Sequence, residues 1–305
     1  MAQDPRALLQ KVSLSTNLFT PTYNDDKAVQ GAGGGFSLFG GRQEKWENAA
    51  DLYTQAANAF RMQKQGKEAG LAFERAATIQ TKNLNEPDDA ANSLTEAFKT
   101  YRKTDPEDAA RVLEQAITHY TMKGNFRRAA THKQNLAEVF EVEIGDQKRA
   151  IEAYETAAGW FEGDNAEALA NKLFLKVADL AATEGDYYKS IEQYEKVARS
   201  SVNNNLMKWS VKDYFLKAGM CHLATGDMVA TNRALETYRE LDPAFASTRE
   251  HQLLADLAGA VEQGDQEIFA DKLFEFDRMS KLDKWKTTIL LRVKNGIEEK
   301  GEDFS

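Results

Sequence analysis

The feature that most constrains this chain is a spacing of turns. Gly66, Asp105-Pro106, Gly145-Asp146, Gly185-Asp186, Gly226-Asp227 and Gly264-Asp265 follow one another at intervals of 39, 40, 40, 41 and 38 residues. Between them the chain carries the apolar period of a helix face, as in Ala150, Ile151, Tyr154, Ala157, Ala158 and Phe161. The same face returns in Tyr53, Ala56, Ala57 and Phe60, in Leu113, Ala116, Ile117 and Tyr120, and in Ile191, Tyr194, Val197 and Ala198. A two-helix unit with one apolar stripe cannot bury it alone, so a fixed period of this size predicts stacked hairpins whose alanines let the helix axes approach. The expected fold class is all-α, a right-handed helical-hairpin (TPR-like) solenoid with a C-terminal helical bundle. Function in such an array is expected on its extended surfaces, which bind other proteins.

Composition narrows the setting. With 42% hydrophobic and 29% charged residues the chain can fill a core, and no apolar run approaches the roughly 18 residues that a spanning helix needs. The N-terminal segment lacks a continuous apolar stretch behind a basic start, so no secretory signal is expected. The one cysteine, Cys221, cannot form an internal disulfide, which fits a reducing compartment such as the cytosol. A net charge of -9 argues against wholesale binding to nucleic acid. Four of the five prolines (Pro5, Pro21, Pro87, Pro106 and Pro243) fall between helical patterns, where helix interiors would forbid them.

Four segments are expected. Residues 1–45 stand outside the repeat, 46–241 form the hairpin array, 242–296 a C-terminal helical bundle marked by Trp285, Ile289, Leu290, Leu291 and Val293, and 297–305 an acidic tail. A helix starts at Pro5 with Asp4 as its N-cap, but 12–25 turns to β-branched and turn-forming residues without an alanine. Helical composition resumes at Asp26, so 12–25 reads as an insertion. The glycine-rich stretch from Gly31 to Gly41 carries Phe36, Leu38 and Phe39. It is not a phosphate loop, since no strand precedes it and no Gly-Lys-Ser/Thr follows. Its rings either tuck onto the first repeat or insert weakly into a lipid surface, at roughly 1.5–3 kcal/mol for each fully buried large side chain.

Nothing in the chain composes an active site. His119, His132, His222 and His251 are scattered without the i, i+4 spacing of a helical metal pair. Cys221 and His222 are adjacent, so on a helix they point about 100° apart and do not make a nucleophile and base. Cys221 reads as a small buried apolar residue. No catalytic residue, cofactor or metal is expected.

Three stretches carry a resemblance: Phe36 to Gly41, Ala49 to Phe60 (with Leu52, Tyr53, Ala56 and Ala57), and Leu282 to Leu291 around Trp285. Leu206, Trp209 and Asp213 with Ala218, then Asp242 to Phe245 and Ser247 to Glu250, extend it. On these residues the chain resembles the soluble NSF attachment proteins, alpha type, and among them the fungal vesicular-fusion orthologues, over nearly everything except 12–25. The resemblance implies an adaptor without catalysis, which wraps an assembled SNARE bundle (syntaxin-type and other SNAREs) with its concave face. It recruits the hexameric AAA ATPase NSF through its C-terminal end and stimulates ATP hydrolysis. It implies a cytoplasmic protein, peripheral on the cytosolic face of vacuole, ER/Golgi and vesicle membranes.

Carried over residue by residue, the resemblance makes Lys172 a basic SNARE contact, with Lys64, Lys103, Lys208 and Arg249 as further candidates. Thr131 stands where the family has lysine, leaving that contact either missing or supplied by Arg128 or Lys133. Asp227 and Glu262 match acidic positions that meet NSF, and Gln263 replaces an acid there. The family tail closes on leucine, and here Glu302 and Asp303 lead to Phe304, an expected NSF-activating residue. The alternative is a generic TPR-like scaffold, such as a chaperone adaptor gripping C-terminal peptides.

Overall fold

The computed structural model describes residues 4–16 and 41–302. Among them every regular element is helical. The chain forms two compact units, Met1–Ala153 and Tyr154–Ser305.

The first unit holds α1 (Pro5–Thr16), α2 (Gly41–Met62), α3 (Gly66–Ile79), α4 (Pro87–Tyr101), α5 (Pro106–Met122) and α6 (Phe126–Glu138). Each helix packs on the next, so α2 to α6 form successive antiparallel hairpins. Alanine makes this close approach feasible: Ala49, Ala56, Ala57, Ala69, Ala76, Ala97 and Ala109 are buried, with Phe73, Phe98 and Leu113 filling the gaps. Gly70 lets α3 meet α4 more closely still, since a Cβ there would lie 2.4 Å from Cζ of Tyr101. The Tyr101 hydroxyl donates to Glu74 at 2.7 Å, and Arg111 holds the same carboxylate from the next hairpin at 2.9 Å. Two helices, α3 and α6, widen into π-helical turns at Gln80–Leu84 and Val139–Ile144, which end in left-handed Asn85 and Gly145.

α1 runs five residues past Lys11, to Thr16. Val12 is only 1% exposed and falls four residues after buried Leu8, so packing overrides the weak helix propensity of the residues from Val12 onward. The rest of the stretch read as an insertion, and the Gly31–Gly40 segment with Phe36, Leu38 and Phe39, lie outside the described residues, as does Phe304.

α7 (Gln147–Gly163) runs from the first unit into the second. The second unit continues with α8 (Glu167–Glu184), α9 (Tyr187–Ser201), α10 (Lys208–Thr225), α11 (Met228–Leu241), a 3-10 turn (Pro243–Ser247), α12 (Arg249–Gln263), α13 (Gln266–Met279) and α14 (Lys284–Glu302). One apolar core reaches from Ala178 to Ile297. Phe215 stacks on Tyr238 with ring centroids 4.4 Å apart, and Phe245 meets both rings. Gly219 admits Leu254 of α12 against α10, since a Cβ there would be 2.5 Å from its Cδ1.

The final helix turns back on the hairpins and packs against α10 and α8. Ile289, Leu290, Val293 and Ile297 are buried at helical spacing and belong to that same core. Leu291, grouped with them from the sequence, is 56% exposed: adjacent residues on a helix diverge by about 100°, so only Leu290 of the pair faces inward.

The turns show why the spacing works. Gly145, Gly185, Gly226 and Gly264 have φ of 81°, 91°, 75° and 69°, the left-handed conformation that ends a helix most easily without a Cβ. The aspartate that follows each one caps the next helix. Asp146, Asp186, Asp227 and Asp265 accept the backbone N–H of Arg149, Lys189, Ala230 and Ile268. Gly66 does not share this role. There Lys64 takes the left-handed place, at φ 60°, and Gly66 opens α3 where a Cβ would lie 2.9 Å from the Thr100 carbonyl oxygen.

Candidate functional site

The candidate residues of the first unit occupy one end of its hairpins. Lys64 and Lys103 each stand two residues before a recurring turn position, just after the C-termini of α2 and α4, and both are exposed. Arg102, beside Lys103, is committed to Glu143 at 2.6 Å, a pairing that raises its pKa against the cost of burial. Thr131 lies in the N-terminal half of α6, toward the other end, and its hydroxyl donates to the Arg127 carbonyl oxygen at 3.1 Å. Its neighbours are engaged elsewhere. Arg128 lies 4.3 Å over the Tyr120 ring and bonds Asn92 at 2.9 Å, while Lys133 pairs with Glu114 at 3.0 Å.

In the second unit the candidates sort by charge to opposite ends. Lys172, Lys208 and Arg249 are exposed in the N-terminal turns of α8, α10 and α12. The latter two helices run parallel, since Lys212 pairs with Glu250 at 2.9 Å and Gly219 abuts Leu254 further along. Asp227 and Glu262 stand at the far end, beyond the C-terminus of α10 and in the last turn of α12. Both are exposed, Asp227 as an N-cap and Glu262 accepting from Asn232 at 2.7 Å. The 18 residues of α10 span on the order of 27 Å, so the basic and acidic groups cannot act on one small ligand.

The basic end also presents apolar groups that sequence reasoning left out of the site. Leu206 is 91% and Trp209 77% exposed, and Lys208 Nζ lies 5.6 Å from the Trp209 ring centroid. Two large apolar side chains flanking a lysine, off the period of the core face, were the available signal. An exposed aromatic with a cation beside it is the composition of an interface anchor.

Among the described residues the cysteine and the histidines are engaged in structural contacts. Cys221 is fully buried with its Sγ 3.3 Å from the Ser190 hydroxyl, and burial pushes its thiol up to about 12, so it stays protonated. His222 points elsewhere, to Glu195 at 3.2 Å, and His119 bonds Asp88 at 2.7 Å. His132 stacks on Tyr120 with centroids 5.2 Å apart, and burial lowers its pKa. Among the described residues no group of His, Cys, Asp and Glu is placed to hold a metal ion, and no helix is long and apolar enough to cross a membrane.

Stacked antiparallel helical hairpins define a helical-repeat scaffold, with the candidate basic and acidic residues at different ends of the second unit. The profile described as "Soluble NSF attachment protein, SNAP" matches residues 22–298, and the chain belongs to that family. It is 53% identical over 305 residues to the "Probable vesicular-fusion protein sec17 homolog" of Neurospora crassa, covering 100% of both chains. Its identity to the Schizosaccharomyces pombe protein of the same name is 52%, again with 100% of each covered. To the "Alpha-soluble NSF attachment protein" of Saccharomyces cerevisiae it is 42% identical over 273 residues, 89% of this chain and 93% of that one.

Proposed function

We propose that this chain is a non-catalytic adaptor in vesicle fusion. It binds assembled SNARE complexes through Lys64, Lys103, Lys172, Lys208 and Arg249, and it recruits and stimulates an NSF-type hexameric ATPase through Asp227, Glu262 and the tail at Phe304. The observation that carries this is the separation of Lys172, Lys208 and Arg249 from Asp227 and Glu262 within the second unit. One end of that unit attracts an acidic coiled coil and the other a basic surface, so two macromolecules bind at once without competing. Leu206 and Trp209 supply the apolar contact that charges alone lack.

The protein works in the cytoplasm and peripherally on the cytosolic face of vacuole, ER/Golgi and vesicle membranes. Phe36, Leu38 and Phe39 give a weak lipid contact, which concentrates the adaptor where SNARE complexes are anchored. Changing Phe36 and Phe39 to Ser lowers disassembly of membrane-anchored complexes and spares soluble ones. Equal loss on both substrates assigns the loop to folding instead.

The deciding experiment is co-sedimentation. The ATPase, held with a non-hydrolysable nucleotide, sediments with the chain when a SNARE complex is present, and much less when either component is left out. Sedimentation of the ATPase with SNARE complex alone, to the same extent, removes the adaptor role.

A further inference from the structure

Exposed hydroxyls in this fold are mostly committed to the backbone of their own helix. Those of Thr78, Thr118, Thr131 and Thr183 donate to the carbonyl oxygen one turn back, and those of Ser200 and Ser247 do so three residues back. Ser210, exposed in the first turn of α10, differs. Its backbone N–H bonds the Met207 carbonyl oxygen at 2.9 Å, but its hydroxyl has no partner among the described residues.

The surroundings of that hydroxyl are basic. Lys208 and Lys212 stand two residues before and two residues after it. A third cation approaches from α8. Both α8 and α10 pack on α9, which runs between them in the opposite direction, so they are parallel, and Lys217 of α10 pairs with Asp179 of α8 at 2.8 Å. Seven residues, or two helical turns, before the members of that pair stand Ser210 and Lys172, so the same register sets this lysine opposite the serine. Lys172 is exposed and pairs with no carboxylate among the described residues. The other charges nearby are matched already, Lys212 by Glu250 at 2.9 Å and Asp213 by Lys286 at 2.7 Å.

We propose that Ser210 is a phosphorylation site and that its phosphate closes the basic end of the second unit. The acceptor suits a serine/threonine kinase that selects lysine on both sides. Such an enzyme needs local opening of the backbone, which costs least in a first turn that follows the irregular stretch 202–207. The serine Oγ attacks the γ-phosphorus of ATP, the bond to the β-phosphate oxygen breaks, ADP leaves, and the hydroxyl proton passes to the catalytic base of the kinase. The product carries a charge of about -1.5 to -2 at pH 7. It holds Lys172 across the helices and offsets Lys208 beside it, so two of the cations assigned to an acidic SNARE bundle are neutralised together. Negative charge in the first turn also suits the dipole of α10, so the modified helix keeps its start. This off-state rests on the adaptor function proposed above and adds its regulation.

The full chain, incubated with Mg-ATP and the catalytic domain of a lysine-directed kinase, should take up phosphate at Ser210, located by peptide mass spectrometry. No phosphate at Ser210 overturns the site. Phosphoserine placed at position 210 during translation supplies the homogeneous product. At low salt it should bind purified SNARE complex at least fivefold more weakly than the parent, whereas Ser210→Ala binds as the parent does. Equal binding by the phosphorylated and parent chains overturns the switch. The bridge is read without any partner, from the rate at which acetic anhydride modifies the Lys172 amine: it should fall at least fivefold in the phosphoserine form, and an unchanged rate overturns the bridge. If the parent chain fails to bind SNARE complex, the adaptor reading falls, and the Lys172 rates still decide whether the phosphate engages that lysine.

Discussion

Trp285 donates its indole N–H to the Asp179 carbonyl oxygen at 2.9 Å, across 106 residues of sequence. The Asp179 carboxylate also accepts from Lys217 Nζ at 2.8 Å and from the Tyr194 hydroxyl, and the same lysine lies 4.8 Å over the Trp285 ring. This cluster seats the start of α14 on α8 and α10, with Ile289 and Leu290 filling the core behind it. The last helix is thereby fixed to α8 and α10.

Trp285→Phe keeps most of the ring and removes only the donor, so it should cost about 1 kcal/mol. Trp285→Ala should cost about 3 kcal/mol, because packing and the cation contact go as well. Amide hydrogen exchange localises the effect. Faster exchange in α14 with little change in α2 to α5 is expected, and unchanged exchange in α14 means something else seats the helix.

Three glycine-to-alanine changes separate three causes. Gly185→Ala should cost about 1–2 kcal/mol through backbone strain alone, since φ is 91° and the space around it is open. Gly70→Ala should cost about 1–3 kcal/mol through overpacking on Tyr101. Gly296→Ala should gain up to about 1 kcal/mol, as a mid-helix glycine with neither constraint. Urea unfolding of the three variants measures this, and a similar loss at all of them would refute the assignment.

How much of this was legible in the sequence follows the range of the forces. Gly185 and Asp186 announce a helix end and a helix start by local chemistry, and the structure finds that chemistry in the backbone and the cap. Gly124 and Asn125 do the same with asparagine as the cap, outside the recurring positions noted from the sequence. Gly66 marks a turn as the sequence suggests, but the reason for a glycine there comes from Thr100, a neighbour on another helix. Val12 and Leu291 went wrong for a like reason, since only the packing partner decides which residue faces inward. The sorting of Lys172, Lys208 and Arg249 away from Asp227 and Glu262 needed the direction of each helix, which composition does not encode.

Acid sensitivity has an identifiable contributor. Burial alone raises the Glu195 carboxyl, but hydrogen bonds from His222 and Tyr238 and the charge of Arg199 bring it below the usual carboxylate range. A carboxyl depressed in the folded state stabilises above its unfolded value, about 4.3, and that contribution fades as pH falls through the lower folded value. Glu195→Gln should thus destabilise the second unit at pH 7 and much less near pH 3. Denaturant unfolding at both pH values checks it, and a pH-independent difference would show that charge is not the cause.

The two charged ends should respond separately. Lys172→Glu with Lys208→Glu should weaken SNARE binding at least roughly tenfold at low salt, where attraction is least screened, and leave ATPase docking on preassembled complexes nearly intact. Asp227→Asn keeps the capping oxygen and removes the charge, so with Glu262→Gln it should do the reverse without harming the fold. Titrations of each partner at two salt concentrations distinguish these outcomes. Loss of both partners from either pair of changes would contradict the separation.

The most direct test of the adaptor role is ATP-driven disassembly of a purified SNARE complex, followed by loss of energy transfer between labelled SNARE strands. The ATPase alone should leave the complex assembled, this chain alone should neither hydrolyse ATP nor separate the strands, and the two together should take it apart. Equal disassembly with and without the chain, or none with both present, would contradict the account.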